Sequence, residues 1–219
     1  MRCPVLQYQI IPVTHYQQNC TLLWCDQTRE AAVVDPGGDV ARILAEVERL
    51  QLKLTQILLT HGHLDHVGGT AALVQLRQLP VIGPHQDDMF WIGMLSQQAQ
   101  MMGFAPVANF TPDRFLHEGD KVMVGQAELE VFHCPGHTPG HVVFFCREAG
   151  LAQVGDVLFQ GSVGRSDFPR GNHQQLVDSI RTKLFPLGDA VKFIPGHGPM
   201  SSFGQERRTN PFVADKHYG

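Results

Sequence analysis

Apolar and polar positions along this chain alternate between two periods. Short apolar or alternating runs fall at 7–12, 21–25, 31–34, 56–59, 81–82, 128–132, 141–146, 152–154 and 192–194. Turn residues bound them, so each predicts a β-strand. Helical periods lie between. Val40, Ile43, Leu44, Val47 and Leu50 recur at i, i+3, i+4, i+7 and i+10, one apolar face, with Asp39 placed to cap its start. A second helix is expected over 69–78 with Ala72, Leu73, Leu76 and Leu79 inward. A third is expected over 174–184, where Leu176, Ile180 and Leu184 repeat every four residues.

Strands and helices mixed without strict alternation suggest two packed sheets with helices outside, in one domain spanning 1–219. No internal period marks a repeat. The methionine-rich stretch 89–102 carries Phe90, Trp91, Ile92, Met94 and Leu95. Such a stretch is ordinarily a core-facing helix; the other reading is a mobile wall over a site.

Composition narrows the function classes. A net charge of -4 lacks the basic footprint of a nucleic-acid surface. No apolar run approaches the length of about 18 residues that a membrane span needs. The N-terminus lacks the apolar stretch of a signal peptide. Cys3, Cys20, Cys25, Cys134 and Cys146 form neither a C-x-x-C pair nor a disulfide framework, which predicts reduced thiols in a cytoplasmic protein. Cys134, near His137, is read as a small buried residue rather than a ligand.

The chemistry concentrates at Thr60-His61-Gly62-His63-Leu64-Asp65-His66, directly after an apolar run. In extended backbone His61 and His63 project to one side, and the turn that follows brings in Asp65 and His66. Three further candidates, His137, Asp156 and His197, also sit just past strand-like segments, beside glycines that let backbone and metal approach closely. Seven N and O donors at one sheet edge suffice for two metal ions sharing a carboxylate. The other seven histidines carry no such motif, and His141 is read as a structural hydrogen-bonder.

This H-x-H-x-D-H run, with the spaced His, Asp and His after strands, resembles the metallo-β-lactamase superfamily from Asn19 onward. The loop Val33-Val34-Asp35-Pro36-Gly37-Gly38-Asp39 resembles that superfamily's first motif. Within it the chain is most similar to the glyoxalase II (hydroxyacylglutathione hydrolase) group, in the short bacterial form without the C-terminal helical domain. Pro135-Gly136-His137-Thr138-Pro139-Gly140-His141, Val163-Gly164-Arg165-Ser166-Asp167-Phe168-Pro169-Arg170-Gly171 and Asn210-Pro211-Phe212 carry that narrower match.

The resemblance implies an α/β four-layer αββα sandwich. It assigns His61, His63 and His137 to one metal, Asp65, His66 and His197 to the other, and Asp156 to both. Asp35 is expected to hold the histidine loop by hydrogen bonds. Zinc is the first expectation for the two divalent ions, with iron or manganese as alternatives. The implied reaction is thioester hydrolysis by a metal-bridging hydroxide, with Asp65 and Asp156 contributing to catalysis. S-D-lactoylglutathione is the expected substrate, in methylglyoxal detoxification, with Arg165 and Arg170 as candidate partners for glutathione carboxylates. Gly196-His197-Gly198-Pro199 departs from the long form, where an aromatic residue aids binding, so weak glutathione binding or a broader thioester range is expected. No obligate protein partner is inferred. The alternatives are a persulfide dioxygenase with one iron on His63, His137 and Asp156, a lactonase or β-lactamase, and a retired metal-binding protein. The last would have lost a ligand, and none is missing.

Overall fold

The computed structural model describes residues 5–218, so Cys3 lies outside the described residues. The first sheet runs, in spatial order, β1 (Leu6–Val13), β2 (Gln18–Cys25), β3 (Glu30–Val34), β4 (Lys53–Leu58) and β5 (Val81–Ile82). Its first three strands pair antiparallel and the rest parallel. The second half of the chain adds β6 (Lys121–Val124), β7 (Ala127–His133), β8 (Val142–Cys146) and β9 (Leu151–Gly155). A small hairpin of β10 (Leu158–Phe159) and β11 (Ser162–Val163) follows, then β12 (Lys192–Pro195) and β13 (Ser201–Ser202). The second sheet has the order β13-β12-β9-β8-β7-β6, with only β12 and β9 parallel.

Successive side chains of a strand point to opposite faces, so each central strand serves two layers. In β8, Val142 and Phe144 fill the space between the sheets, against Leu23, Val34 and Leu58 of the first sheet. Val143 and Phe145 point the other way. The outer face of the first sheet is covered by α1 (Val40–Arg49), α2 (Leu64–Val67), α3 (Thr70–Arg77), α4 (Met89–Ile92) and α5 (Leu95–Met102). The second sheet is covered by α6 (His173–Ser179), its π-helical continuation Ile180–Leu184, and α7 (Phe203–Thr209). The four layers are those of the expected αββα sandwich.

Three local expectations are corrected. Asp39 precedes α1 but sits at φ 48°, outside the extended conformation from which a side chain caps a helix. Its carboxylate instead accepts the Thr14 amide at 2.8 Å and ties the β1–β2 turn to the helix start. Leu76 is 61% exposed and Ala72 also faces out. At 100° per residue the buried stripe of α3 centres on Thr70, Leu73 and Val74, which places residues 72 and 76 more than about 100° away. The stretch 89–102 forms two short helices rather than one, with Ile92, Leu95 and Ala99 in the core and Met101 exposed.

The expectations for the 174–184 segment hold: Leu176, Ile180 and Leu184 are fully buried. Cys20, Cys25, Cys134 and Cys146 are free thiols. Cys134 packs in the apolar cluster beneath α6, and burial pushes its thiol well up. Among the described residues, no helix is long and apolar enough to cross a membrane.

Candidate metal centre

Seven side chains meet where the strands of both sheets end. His61 and His63 follow β4, and Asp65 and His66 lie on the single turn of α2. His137 lies in the turn between β7 and β8, while Asp156 and His197 follow β9 and β12. The sheets are stitched together at this edge. The Val142 amide donates to the Thr60 carbonyl at 2.8 Å. Asn19 of β2 donates its side-chain amide to the Pro195 and Gly198 carbonyls at 3.0 and 2.8 Å, fixing the loop that carries His197.

The histidines and carboxylates form two trios. One donor atom each from His61, His63 and His137 lies within 4.8 Å of the others, and the same holds for Asp65, His66 and His197. Asp156 lies between the trios. Its Oδ1 is 3.3 Å from His66 Nε2, and its Oδ2 is 3.6 Å from His137 Nε2 and 3.9 Å from His197 Nε2. Close approach depends on Gly196: a Cβ there would meet Asp156 Oδ1 at 2.0 Å.

The outward-facing ring nitrogens of His61, His66, His137 and His197 are engaged, whereas His63 turns Nδ1 toward His137 Nε2 at 3.0 Å and leaves Nε2 buried without a partner. The Asp35 carboxylate accepts from the Thr60 amide at 2.8 Å, from the Thr60 hydroxyl at 2.6 Å and from His66 Nδ1 at 3.0 Å. Thr60 Oγ1 stands 3.0 Å from His61 Nδ1, so one carboxylate orients a histidine of each trio. His137 Nδ1 donates to the Arg165 carbonyl at 2.7 Å. By contrast, His61 Nε2, His66 Nε2 and Asp156 Oδ1 are buried without a hydrogen-bond partner. Buried polar atoms in folded proteins are normally satisfied. Unpartnered nitrogens aimed inward, with the opposite nitrogens fixed from outside, are the arrangement of metal-binding imidazoles.

Electrostatics agree with this donor set. Burial, reinforced by neighbouring His137, pushes His63 down to about 3, so its ring is neutral and able to donate a lone pair. Burial and then His66 lower His61 well below its ordinary value. Burial raises the Asp156 carboxyl, but His66, His137 and His197 outweigh it and hold the group ionised. The same contest, won by His66 and His197, keeps Asp65 low.

Several contributors lie outside the ligand motif. Asp88 is fully buried and accepts from the Gly62 amide, the Thr138 hydroxyl and the Gly140 amide, tying the His61–His63 loop to the 135–141 turn. Only an Asp-Asp pair before a helical stretch marks it in the sequence. Trp91 and Phe168 set ring edges against His63, with centroids 4.5 and 5.0 Å away. His141 is the structural group expected of it: Nε2 accepts the Asp156 amide at 3.1 Å, and the ring stacks on His61 at 4.6 Å. Neither candidate guanidinium bonds a residue of the trios. Arg165 forks onto Asp167 with two 3.0 Å bonds and lies 4.4 Å over Phe168, while Arg170 lies 4.1 Å over Phe90.

Comparison with known proteins agrees with the geometry. The sequence profile of the Metallo-beta-lactamase superfamily matches residues 13–197. A hydroxyacylglutathione hydrolase, GloC, of Haemophilus influenzae is 47% identical over 96% of this chain and 100% of its own. The structure of the BLEG-1 B3 metallo-beta-lactamase superposes with a TM-score of 0.87 at 35% identity, covering 94% of this chain and 99% of that one. TTHA1623 in a di-iron-bound form superposes at 0.85 with 36% identity, covering 94% and 100%. The fold implies divalent-metal binding, and the clusters to hold it are present. The chain belongs to the metallo-β-lactamase superfamily and is a metal-dependent hydrolase.

Proposed function

We propose that the protein hydrolyses glutathione thioesters, S-D-lactoylglutathione first among them, with two divalent ions, zinc before iron or manganese. The observation that carries this reading is the full-length likeness to a hydroxyacylglutathione hydrolase, joined to two donor trios with Asp156 between them. His61, His63 and His137 would hold one ion, Asp65, His66 and His197 the other, and Asp156 both. Bound there, two divalent ions supply Lewis acidity and a water whose pKa falls towards about 7.

The chain's own groups do the rest. Asp35 and the Arg165 carbonyl fix the imidazoles, so no reorganisation is needed at the moment of reaction. Trp91 and Phe168 wall off His63 and keep bulk water from that side. Arg165 and Arg170 stand on the loop around Phe168, where they offer guanidinium forks to the carboxylates of a glutathione moiety. A thiolate leaves readily, its conjugate acid having a pKa of about 8.5, so the site requires no dedicated proton donor.

The reading takes 1–219 as one domain, supported by the apolar layer that both sheets share. It places the reaction in a reducing cytoplasm, where unpaired thiols persist and methylglyoxal is detoxified.

The test is to incubate purified protein of known metal content with S-D-lactoylglutathione and follow thioester loss. Two metals per chain, with turnover abolished by chelation, is the expected result. Two metals without turnover would reject this substrate and direct the search to lactones, β-lactams and other thioesters. A single iron, with oxygen consumed only when glutathione persulfide is added, would overturn the hydrolytic reading.

A further inference from the structure

The 135–141 turn that delivers His137 is held at its other end by a second group of imidazoles. His133 Nε2 donates to the Pro139 carbonyl at 2.9 Å, and the His85 amide donates to the Gly140 carbonyl at 3.0 Å. The His85 and His133 rings stack with centroids 4.3 Å apart, and His117 meets His85 edge-on at 5.2 Å. One donor atom each from His85, Asp87 and His133 lies within 4.8 Å of the others.

The spacing suits a metal ion, which would take the His85 Nδ1 lone pair that now accepts the Asp87 amide at 3.3 Å and turn the two stacked rings edge-on to it. Ligands about 2.0–2.1 Å from a tetrahedral zinc stand about 3.4 Å apart. His85 Nδ1 and Asp87 Oδ2 are 3.3 Å apart. Because His133 gives its Nε2 proton to Pro139, its Nδ1 keeps a lone pair. Both histidines are anchored through the backbone. The Asp88 amide donates to the His85 carbonyl at 3.0 Å, and the His133 amide donates to Glu118 at 2.8 Å. Burial, and then His133, lower His85, which leaves a neutral donor. The carboxylates of Glu118 and Asp120 also stand close by, opposed by Lys183 on Glu118 and Arg114 on Asp120.

We propose that His85, Asp87 and His133 form a separate site for a divalent transition ion, with the exposed His117 turning in as a fourth ligand. Imidazole with one carboxylate selects zinc or copper(II) over magnesium or calcium. An ion there grips both ends of the segment that presents His137, without touching the two trios.

Zinc titrations by equilibrium dialysis, with bound metal counted by elemental analysis, test this. Wild type, Asp87→Ala and His133→Gln are compared; Asp87 is exposed, and glutamine retains a donor for Pro139. Wild type is expected to bind one more zinc per chain than either variant. Equal counts in all three proteins would overturn the site. The readout is a difference between proteins, so it stands whether the main centre holds one ion or two.

Discussion

Asparagine at Asp35 probes how a single carboxylate can govern two metal positions. Three donors converge on Asp35: the Thr60 amide on Oδ1, and the Thr60 hydroxyl and His66 Nδ1 on Oδ2. Asparagine keeps the shape but has one oxygen and a donating NH2. In its better orientation the oxygen serves Thr60 Oγ1 and His66, leaving NH2 against the Thr60 amide. Two buried donors then face each other, and each left unsatisfied costs about 1–3 kcal/mol of folding stability. The larger effect concerns metal. Losing the charge behind His66, and weakening the Thr60 hydroxyl behind His61, should lower affinity by about 10–100-fold. That is about 1.4–2.7 kcal/mol per ion. Chelator competition, followed ion by ion, measures it, and thermal unfolding of ion-free protein measures the folding cost separately. An asparagine variant that holds both ions as tightly as wild type would refute the argument. Loss confined to the Asp65–His66–His197 trio would refute the Thr60 relay to His61.

Asp88 gives a pH signature. Burial pushes its carboxyl from the ordinary 3.8 up to about 7, against the donors that lower it. The folded state therefore binds the proton more tightly, and this group's stabilising contribution is full below about 3.8 and lost as pH rises through about 7. Thermal unfolding of wild type relative to Asp88→Asn should fall across that window; a rise would show that the three donors dominate. Phe144→Ala, between the sheets, should cost about 3–5 kcal/mol in denaturant unfolding, and a loss below about 1 kcal/mol would mean the layer repacks. If Arg165 binds a glutathione carboxylate, Arg165→Ala should raise KM for the thioester and leave kcat unchanged, whereas an unchanged KM would leave the arginine to Asp167 alone.

The clustering of the candidate donors was legible because they sit just past strand ends, and apolar runs announce those strands. His61, His63, Asp65, His66, His137, Asp156 and His197 all lie where that reasoning put them. What supports them was not. Asp88 reaches Gly62 and Gly140 from 26 and 52 residues away, a relation with no local period. The short strand β6 escaped notice because Lys121 and Met123 face solvent, leaving only Val122 and Val124 as an apolar signal. Of the four positions expected inward, Leu73 and Leu79 are buried; in α3 the sheet takes Leu73 and Val74 in place of Ala72 and Leu76, because eight residues make only a narrow stripe. Asp39 had the right residue type for a cap, but its left-handed backbone sends the carboxylate elsewhere.

His197 lies 132 residues beyond Asp65, its partner at 3.1 Å. An ion held by both would therefore close a loop of 132 residues, whereas His61 to His66 is a local grip available early in folding. Capture should proceed in two stages: weak binding by the nascent His61–His66 segment, then tight binding once β12 has docked and Asn19 has fastened the following loop. An ion bound there would act as a late rivet, and metal retention under mild denaturant should then read out the docking of the two halves.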